Sequence, residues 1–305
     1  MNRRQLAHGG VAVAIAVVAG AVLPDTTNEY WVGLATTVAT WIALTESWVL
    51  FSGMTGYVSL GHAVFVGTGA YVMALTWNEV PLWAAIAMAG ALAAVLAAVV
   101  GAPCLRVRGP YFVILTLGVA EFGKFVAINV EASLGSMGRV LLGAPSVEDI
   151  FLMMLALAVI AYLGSYAAHR SRFGMGLRAI REDEAAAEPA GVPTASLKII
   201  AFVLSAIIPG MVGSLMVLRS GYFEPLQSFN PSISLNIIAM AVIGGTEDAP
   251  GPLFGTLFLT ILSEALWSKL PQLYMIILGI LLIAFVLWVD VGIYGYLIRW
   301  TRRRA

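Results

Sequence analysis

The chain has 305 residues, 60% of them hydrophobic and only 11% charged, with a mean hydropathy of +0.90. A soluble domain carries about 25% charged residues, so this chain lacks the polar surface of a soluble globule and reads as an integral membrane protein. Its formal net charge is +0, from 17 basic and 17 acidic side chains, and its single cysteine is Cys104; this gives no sign of a nucleic-acid partner and excludes an internal disulfide or a cysteine-based metal site.

Apolar runs follow in chain order at 8–23, 31–51, 57–77, 81–103, 111–130, 150–168, 198–218, 233–245, 251–267 and 273–289. One crossing of the hydrocarbon core takes ~20 apolar residues. The expected fold is therefore an all-α integral membrane protein, a polytopic helical bundle of about ten transmembrane helices (8–10). The longest polar stretch, 169–197, is shorter than the ~50 residues of the smallest usual domain. Residues 1–305 are thus expected to form a single transmembrane domain, and any ATP hydrolysis is expected from another chain.

Arg3 and Arg4 before the first run resemble the start of a signal peptide, but the run is taken as a span because the loop alternation closes only with it. With the N-terminus in the cytoplasm, alternation leaves Arg139, Arg219 and Lys269 outside and Lys124 within a span. The remaining Lys and Arg all fall on the cytoplasmic side, in keeping with the positive-inside rule. Both termini are expected in the cytoplasm, in a multi-pass protein of the cell membrane.

The eighth and ninth runs are short and joined by a Gly- and Pro-containing turn, 244–252. They read either as two spans or as a re-entrant hairpin, and both preserve the downstream orientation. The third run holds Gly53, Gly56, Gly61, Gly67 and Gly69 with Ser59, His62 and Thr68. Small residues let membrane helices pack closely. Alternatively, a broken helix here lines a cavity.

Four ionisable side chains fall inside spans: Glu46, Glu121, Lys124 and Glu264. Each costs about 2.5–3.5 kcal/mol at a helix centre and must face protein or water. Glu121 and Lys124 lie three apart, the spacing of a direct pair on one helix face. The alternatives are an internal pair that orients the span and a gating or substrate contact by Lys124. Glu46 and Glu264 suit helix-to-helix hydrogen bonding or a proton relay.

Nothing points to covalent catalysis. Residues 118–125 match phosphate-loop spacing until Phe125 stands where a magnesium-binding Ser or Thr is required, and the stretch lies in a span. His8, His62 and His169 show no metal spacing, and no nucleophile elbow occurs.

The loop 169–197 carries strong helix formers from Leu177 to Glu188, with apolar Leu177, Ile180 and Ala187 among charges. On periodicity it is either a solvated amphipathic helix or a docking surface for a cytoplasmic partner. Its stretch Gly176-Leu-Arg-Ala-Ile-Arg-Glu-Asp-Glu-Ala-Ala-Ala-Glu-Pro-Ala-Gly191 resembles the cytoplasmic loop of branched-chain amino-acid ABC importer permeases of the LivM type. Three further segments agree. They are Gly56-Tyr-Val-Ser-Leu-Gly-His-Ala63 with Gly67-Thr-Gly-Ala-Tyr71, Arg108-Gly-Pro-Tyr-Phe-Val-Ile-Leu-Thr-Leu-Gly118 with Glu121, and Gly244-Gly245 with Gly251-Pro252 and Gly255. In order, they cover roughly two thirds of the chain.

The resemblance implies a translocation subunit without enzymatic activity of its own. It would import branched-chain or related amino acids beside a second, LivH-type permease. Two cytoplasmic ATPases would use ATP and magnesium, an extracytoplasmic solute-binding protein would deliver the small-molecule substrate, and this chain would bind no cofactor or metal. Carried over by residue, it places Gly56, Ser59, Gly61, His62, Gly67 and Gly69 along the substrate path. ATPase coupling would fall to Arg178, Arg181, Glu182, Asp183, Glu184, Glu188 and Gly191. Two departures stand out: Pro189 is expected to stop the coupling helix near Ala187 or Glu188, and Thr246-Glu-Asp-Ala249 replaces the family's Gly/Ser-rich turn. The alternative from the residues alone is a proton-coupled secondary transporter of small solutes using Glu46, Glu121 or Glu264.

Overall fold

The computed structural model describes residues 28–135 and 138–269 and, beyond them, 273, 276, 277, 279, 280, 283 and 292–296. The first predicted span and most of the tenth lie outside the described residues. Ten helices are named here in chain order: α1 Glu29–Trp48, α2 His62–Thr76, α3 Leu82–Cys104, α4 Pro110–Ser133, α5 Val147–Arg170, α6 Arg172–Ala187, α7 Thr194–Ser220, α8 Pro225–Ser228, α9 Ser232–Gly244 and α10 Pro250–Lys269. The only strands among the described residues are two residues each, β1 Arg139–Val140 and β2 Tyr222–Phe223, paired antiparallel.

Six helical stretches among the described residues are long and apolar enough to cross a membrane. These are Glu29–Gly53, Leu82–Cys104, Pro110–Ser133, Val147–Arg170, Thr194–Ser220 and Pro225–Gly244, with His62–Thr76 shorter but apolar. The protein is a multi-pass, all-helical membrane protein. Its helices run between two ends, one carrying the polar helix α6 and the other carrying the β1–β2 pair.

Most of the predicted boundaries sit close to the observed ones, because each apolar run is bounded by a helix stop or start. Ser146 caps α5 by accepting from Asp149 N, and Ser171 caps α6 by accepting from Gly174 N. Pro110 opens α4, where its missing N–H costs nothing. At the β1–β2 end, Arg139 grips the buried Glu131 carboxylate with both Nε (3.1 Å) and Nη2 (2.9 Å). This bidentate pair ties β1 to the end of α4.

The third predicted run is helical only in part, as its broken-helix reading anticipated. Helix α1 runs on through a π turn, Val49–Gly53, and regular helix resumes only at His62. A 15-residue α2 covers about 22 Å at 1.5 Å per residue, less than the ~30 Å hydrocarbon core. The non-helical residues 56–61 precede it. In the 233–267 region, α9 and α10 meet where Gly244, Gly251 and Gly255 allow backbone contact. From there α10 rises to the level of Tyr30 at the start of α1, whose hydroxyl donates to Glu264 (2.7 Å).

The centre of the bundle is α7, against which α2 and α3 pack. The contact with α2 is backbone to backbone: a Cβ built at Gly69 would fall 1.8 Å from Gly210 O, and one at Gly213 would fall 2.0 Å from Val66 O. Small residues therefore set this crossing. Toward the α6 end lies an aromatic core of Phe51, Phe65, Phe112 and Phe202, from four separate elements. Phe202 is the hub, with centroids 4.9 Å from Phe51, 5.5 Å from Phe65 and 6.4 Å from Phe112.

Candidate functional site

Helix α6 is the one markedly polar helix among those described, and it lies across the end of the bundle. Leu177 and Ile180 are buried beneath it, while Glu182 and Asp183 face outward. The helix is not one piece. Asp183 adopts an extended backbone (φ −158°, ψ 105°), and its Oδ1 accepts from the amides of Ala185 (2.9 Å) and Ala186 (3.1 Å). The expected continuous helix is thus broken, because Asp183 serves as the N-cap of a second short turn. That turn stops at Ala187, next to Glu188 and Pro189, and Gly191 follows in a left-handed conformation (φ +88°).

The break turns Glu184 inward. Its carboxylate accepts from Lys198 Nζ at the start of α7 (2.7 Å), from the Tyr57 hydroxyl (2.5 Å) and from Arg108 Nη2 (3.3 Å). Lys198 is 4% exposed. It also donates to Leu105 O (3.2 Å) and lies 4.8 Å from the centre of the Tyr57 ring. Beside this cluster, Arg181 Nη1 donates to Gly53 O (2.9 Å) at the end of the π turn. Gly56, with φ +76°, brings the backbone against the Arg181 side chain, and a Cβ there would meet Arg181 Cγ at 3.2 Å. Helix α6 is therefore fastened through two side chains, Arg181 to the end of the π turn at Gly53 and Glu184 to Tyr57 in the non-helical stretch below α2. Arg178 instead donates to His169 O at the end of α5 (2.9 Å).

Non-helical backbone packed away from water must find partners inside the protein. Here side chains from three other elements supply them. Ser59 N donates to Ser52 Oγ (3.3 Å), Leu60 N to Thr116 Oγ1 of α4 (3.1 Å) and Ala63 N to Ser234 Oγ of α9 (2.9 Å). Trp48 Nε1 donates to Ser59 O (2.9 Å). A cleft of about 610 Å³ opens beside this stretch, bordered by Thr55, Gly56, Tyr57 and Val58, by Gly109, Pro110, Val113 and Ile114 of the α4 entry, and by Ile180 and Arg181 of α6.

Of the six residues expected along a path, only Gly56 borders that cleft. Ser59, Gly61, His62, Gly67 and Gly69 are buried within the bundle, and the Phe229 ring fills the space against Gly67. His62 is fully buried, with neither ring nitrogen hydrogen-bonded among the described residues. Among the intramembrane charges, Glu121 and Lys124 pair directly (2.5 Å), as their spacing predicts. Glu264 takes the Tyr30 hydroxyl. Glu46 is fully buried against α5, toward Ser165 and Tyr162, and neither carboxylate oxygen makes a hydrogen bond among the described residues.

Sequence reasoning missed Lys198, Tyr57 and Arg108, the residues that hold Glu184. Tyr57 and Arg108 come from two different connections and Lys198 from α7, and they share no periodicity with α6. The only local signal was a lone lysine at the first turn of an apolar run.

Burial pushes the Glu184 carboxyl up, but hydrogen bonds from Lys198 and Tyr57 and the charges of Lys198 and Arg108 outweigh it and hold the group below its ordinary value. A depressed carboxyl contributes stability that is fully present above its unfolded value, about 4.3, and is lost as pH falls through the lower folded value. The difference in melting temperature between wild type and Glu184→Gln is therefore expected to stay constant from neutral pH to about 5 and to close below about 4. A gap that widens on acidification would contradict the ion pair.

The family model described as "Branched-chain amino acid transport system / permease component" matches residues 30–286. Similar proteins include the high-affinity branched-chain amino acid transport system permease protein LivM of Escherichia coli K12, 27% identical over 92% of this chain and 73% of that protein. The ribose import permease protein RbsC of the same organism is 27% identical over 72% of this chain and 70% of its own length. A probable branched-chain amino acid transport permease protein LivH of Methanocaldococcus jannaschii is 26% identical over 50% of this chain and 44% of that protein. No solved structure matches. With a matched region that runs from the first turn of α1 through α10, the chain belongs to the family of branched-chain amino acid transport system permease components.

Proposed function

We propose that this chain is one transmembrane subunit of an ATP-driven importer for branched-chain or related amino acids. A second LivH-type permease stands beside it, and two ATPases dock on α6 and supply ATP and magnesium chemistry. A solute-binding protein delivers substrate at the β1–β2 end. In this reading the α6 end and both termini are cytoplasmic. Arg178, Arg181, Glu182, Asp183, Glu184, Glu188 and Gly191 form the docking segment, and the stretch from Gly56 through Ser59, Gly61 and His62 to Gly67 and Gly69 borders the path. This chain binds no cofactor and carries out no covalent step.

The observation that carries the reading is the double fastening of α6. Arg181 holds Gly53 O, and Glu184 holds Tyr57 and Lys198. A force on the exposed face of α6 would pass to the non-helical stretch below α2 and to the first turn of α7. That placement suits a helix pulled by a partner. The relatives named for amino acids and for ribose share the permease type, which fits a substrate chosen largely by the delivering protein.

The test is purification of the chain from native membranes in mild detergent, mass spectrometry of what stays bound, and uptake after reconstitution. A second permease and ATPase subunits should be recovered, with uptake that requires ATP and survives a protonophore. Glu46→Gln and Glu264→Gln should change that uptake by less than about two-fold. A chain that comes out alone, transports without ATP and loses uptake with a protonophore or with Glu46→Gln would be the proton-coupled carrier instead.

A further inference from the structure

Helix α4 is the least buried of the six long apolar stretches. Its outer surface carries Tyr111, Phe122 and Phe125 at 72%, 68% and 64% exposure. Between them sits the Glu121–Lys124 ion pair, with the Glu121 side chain 47% exposed. Asn129 is exposed one turn further on, and Gly118 opens a notch in which a Cβ would meet nothing within 4 Å. The exposed face of α3 is different: Trp83, Met88, Leu92, Val95 and Val99 present no polar side chain. Among the described residues, no other spanning helix exposes an ion pair near its middle.

Lipid tails offer nothing to an ion pair, an amide or a glycine notch. Polar side chains and small residues at membrane depth belong where another helix or water meets them. The α3 face is suited to lipid and the α4 face is not. Val113 and Ile114 of α4 also border the 610 Å³ cleft beside Gly56 and Arg181, so this face continues into the cleft at the α6 end.

We infer that the face of α4 formed by Gly118, Glu121, Phe122 and Phe125 is the seam against the second permease of the assembly. A spanning helix of that chain would close over the Gly118 notch and bring donors or water to Glu121. The seam would also wall the open side of the cleft. This inference rests on the proposed two-permease importer. Glu121 carries spare acceptor capacity beyond Lys124, which is the chemistry a protein partner supplies and a lipid tail does not.

The test uses the assembly in its native membrane. Cys104 is the only cysteine, so Cys104→Ala gives a background for Phe122→Cys on α4 and Leu92→Cys on α3. Each cysteine is labelled with a maleimide-benzophenone and irradiated. Position 122 should yield an adduct with a second, different permease at least ten times as strong as that from position 92. Recovery of that permease with the chain, but with adducts from 92 and only lipid labelled from 122, would overturn the seam and leave the importer standing. Adducts from 122 to another copy of this chain would replace the seam with a self-interface. Absence of any second permease from the purified assembly would overturn the importer reading and the seam with it.

Discussion

In the proposed importer, replacing Lys198 by methionine is expected to abolish ATP-driven uptake and to lower the stability of the chain by about 3–5 kcal/mol. Lys198 and Glu184 have side chains only 5% and 10% exposed. Removing the lysine leaves the Glu184 carboxylate buried with Arg108, which is 59% exposed and 3.3 Å away, as its remaining cation. Leaving one charge of a buried pair is far more costly than replacing both with apolar groups of similar size. The double variant Glu184→Leu/Lys198→Met is therefore expected to regain most of the lost melting temperature. Its uptake should remain at least roughly ten-fold below wild type, because α6 has lost one of its two attachments to the stretch below α2. ATP hydrolysis by the assembly should persist without substrate movement. Uptake that returns together with stability would mean that the cluster only holds the fold.

The second large effect is expected at the crossing of α2 and α7. Gly69→Ala places a methyl 1.8 Å from Gly210 O, where the obstacle is backbone rather than a flexible side chain. Gly210 itself lies against Ala89 O and Ala93, with a built Cβ at 2.7 and 2.6 Å, so α7 cannot retreat without disturbing α3. Overpacking a well-filled core costs about 1–3 kcal/mol, and more where the backbone must move. Gly69→Ala should fall at or above the top of that range and reduce the yield of folded chain in detergent. Gly118→Ala, where the added methyl meets nothing, should shift the stability of the isolated chain by less than about 0.5 kcal/mol. The pair separates two roles for the glycines of the third span. Close packing predicts loss of fold at Gly69, whereas lining a path predicts normal folding with altered uptake.

Much of the architecture was legible from residues in a row. Continuous apolar runs have one stable answer in a bilayer, so the long helices and their order follow from hydropathy. The Glu121–Lys124 pair follows from helical spacing, and the stop of α6 before Pro189 follows from the missing amide and the ring clash. The Gly-rich third run announced irregularity but not its form. A glycine that relieves strain at Gly56 and a glycine that admits a neighbouring backbone at Gly69 look alike in a sequence.

What the sequence determined by itself is local: which segments cross, where they cap, and which charges share a helix face. Each of those depends on neighbours within a few residues and on the bilayer as solvent. Only the tertiary structure decided the break at Asp183 and the inward turn of Glu184. It also decided the meeting of Glu184 with Tyr57, Arg108 and Lys198, which come from two connections and a helix. Propensity favoured a continuous helix through 177–188. The buried lysine and tyrosine hydroxyl offered the Glu184 carboxylate a better environment than solvent, and Asp183 capped the break. The same holds for Thr116 and Ser234, whose hydroxyls accept from the amides of Leu60 and Ala63. Such contacts join elements far apart in the chain, and the need for them arises only once packing has removed water from the backbone they serve.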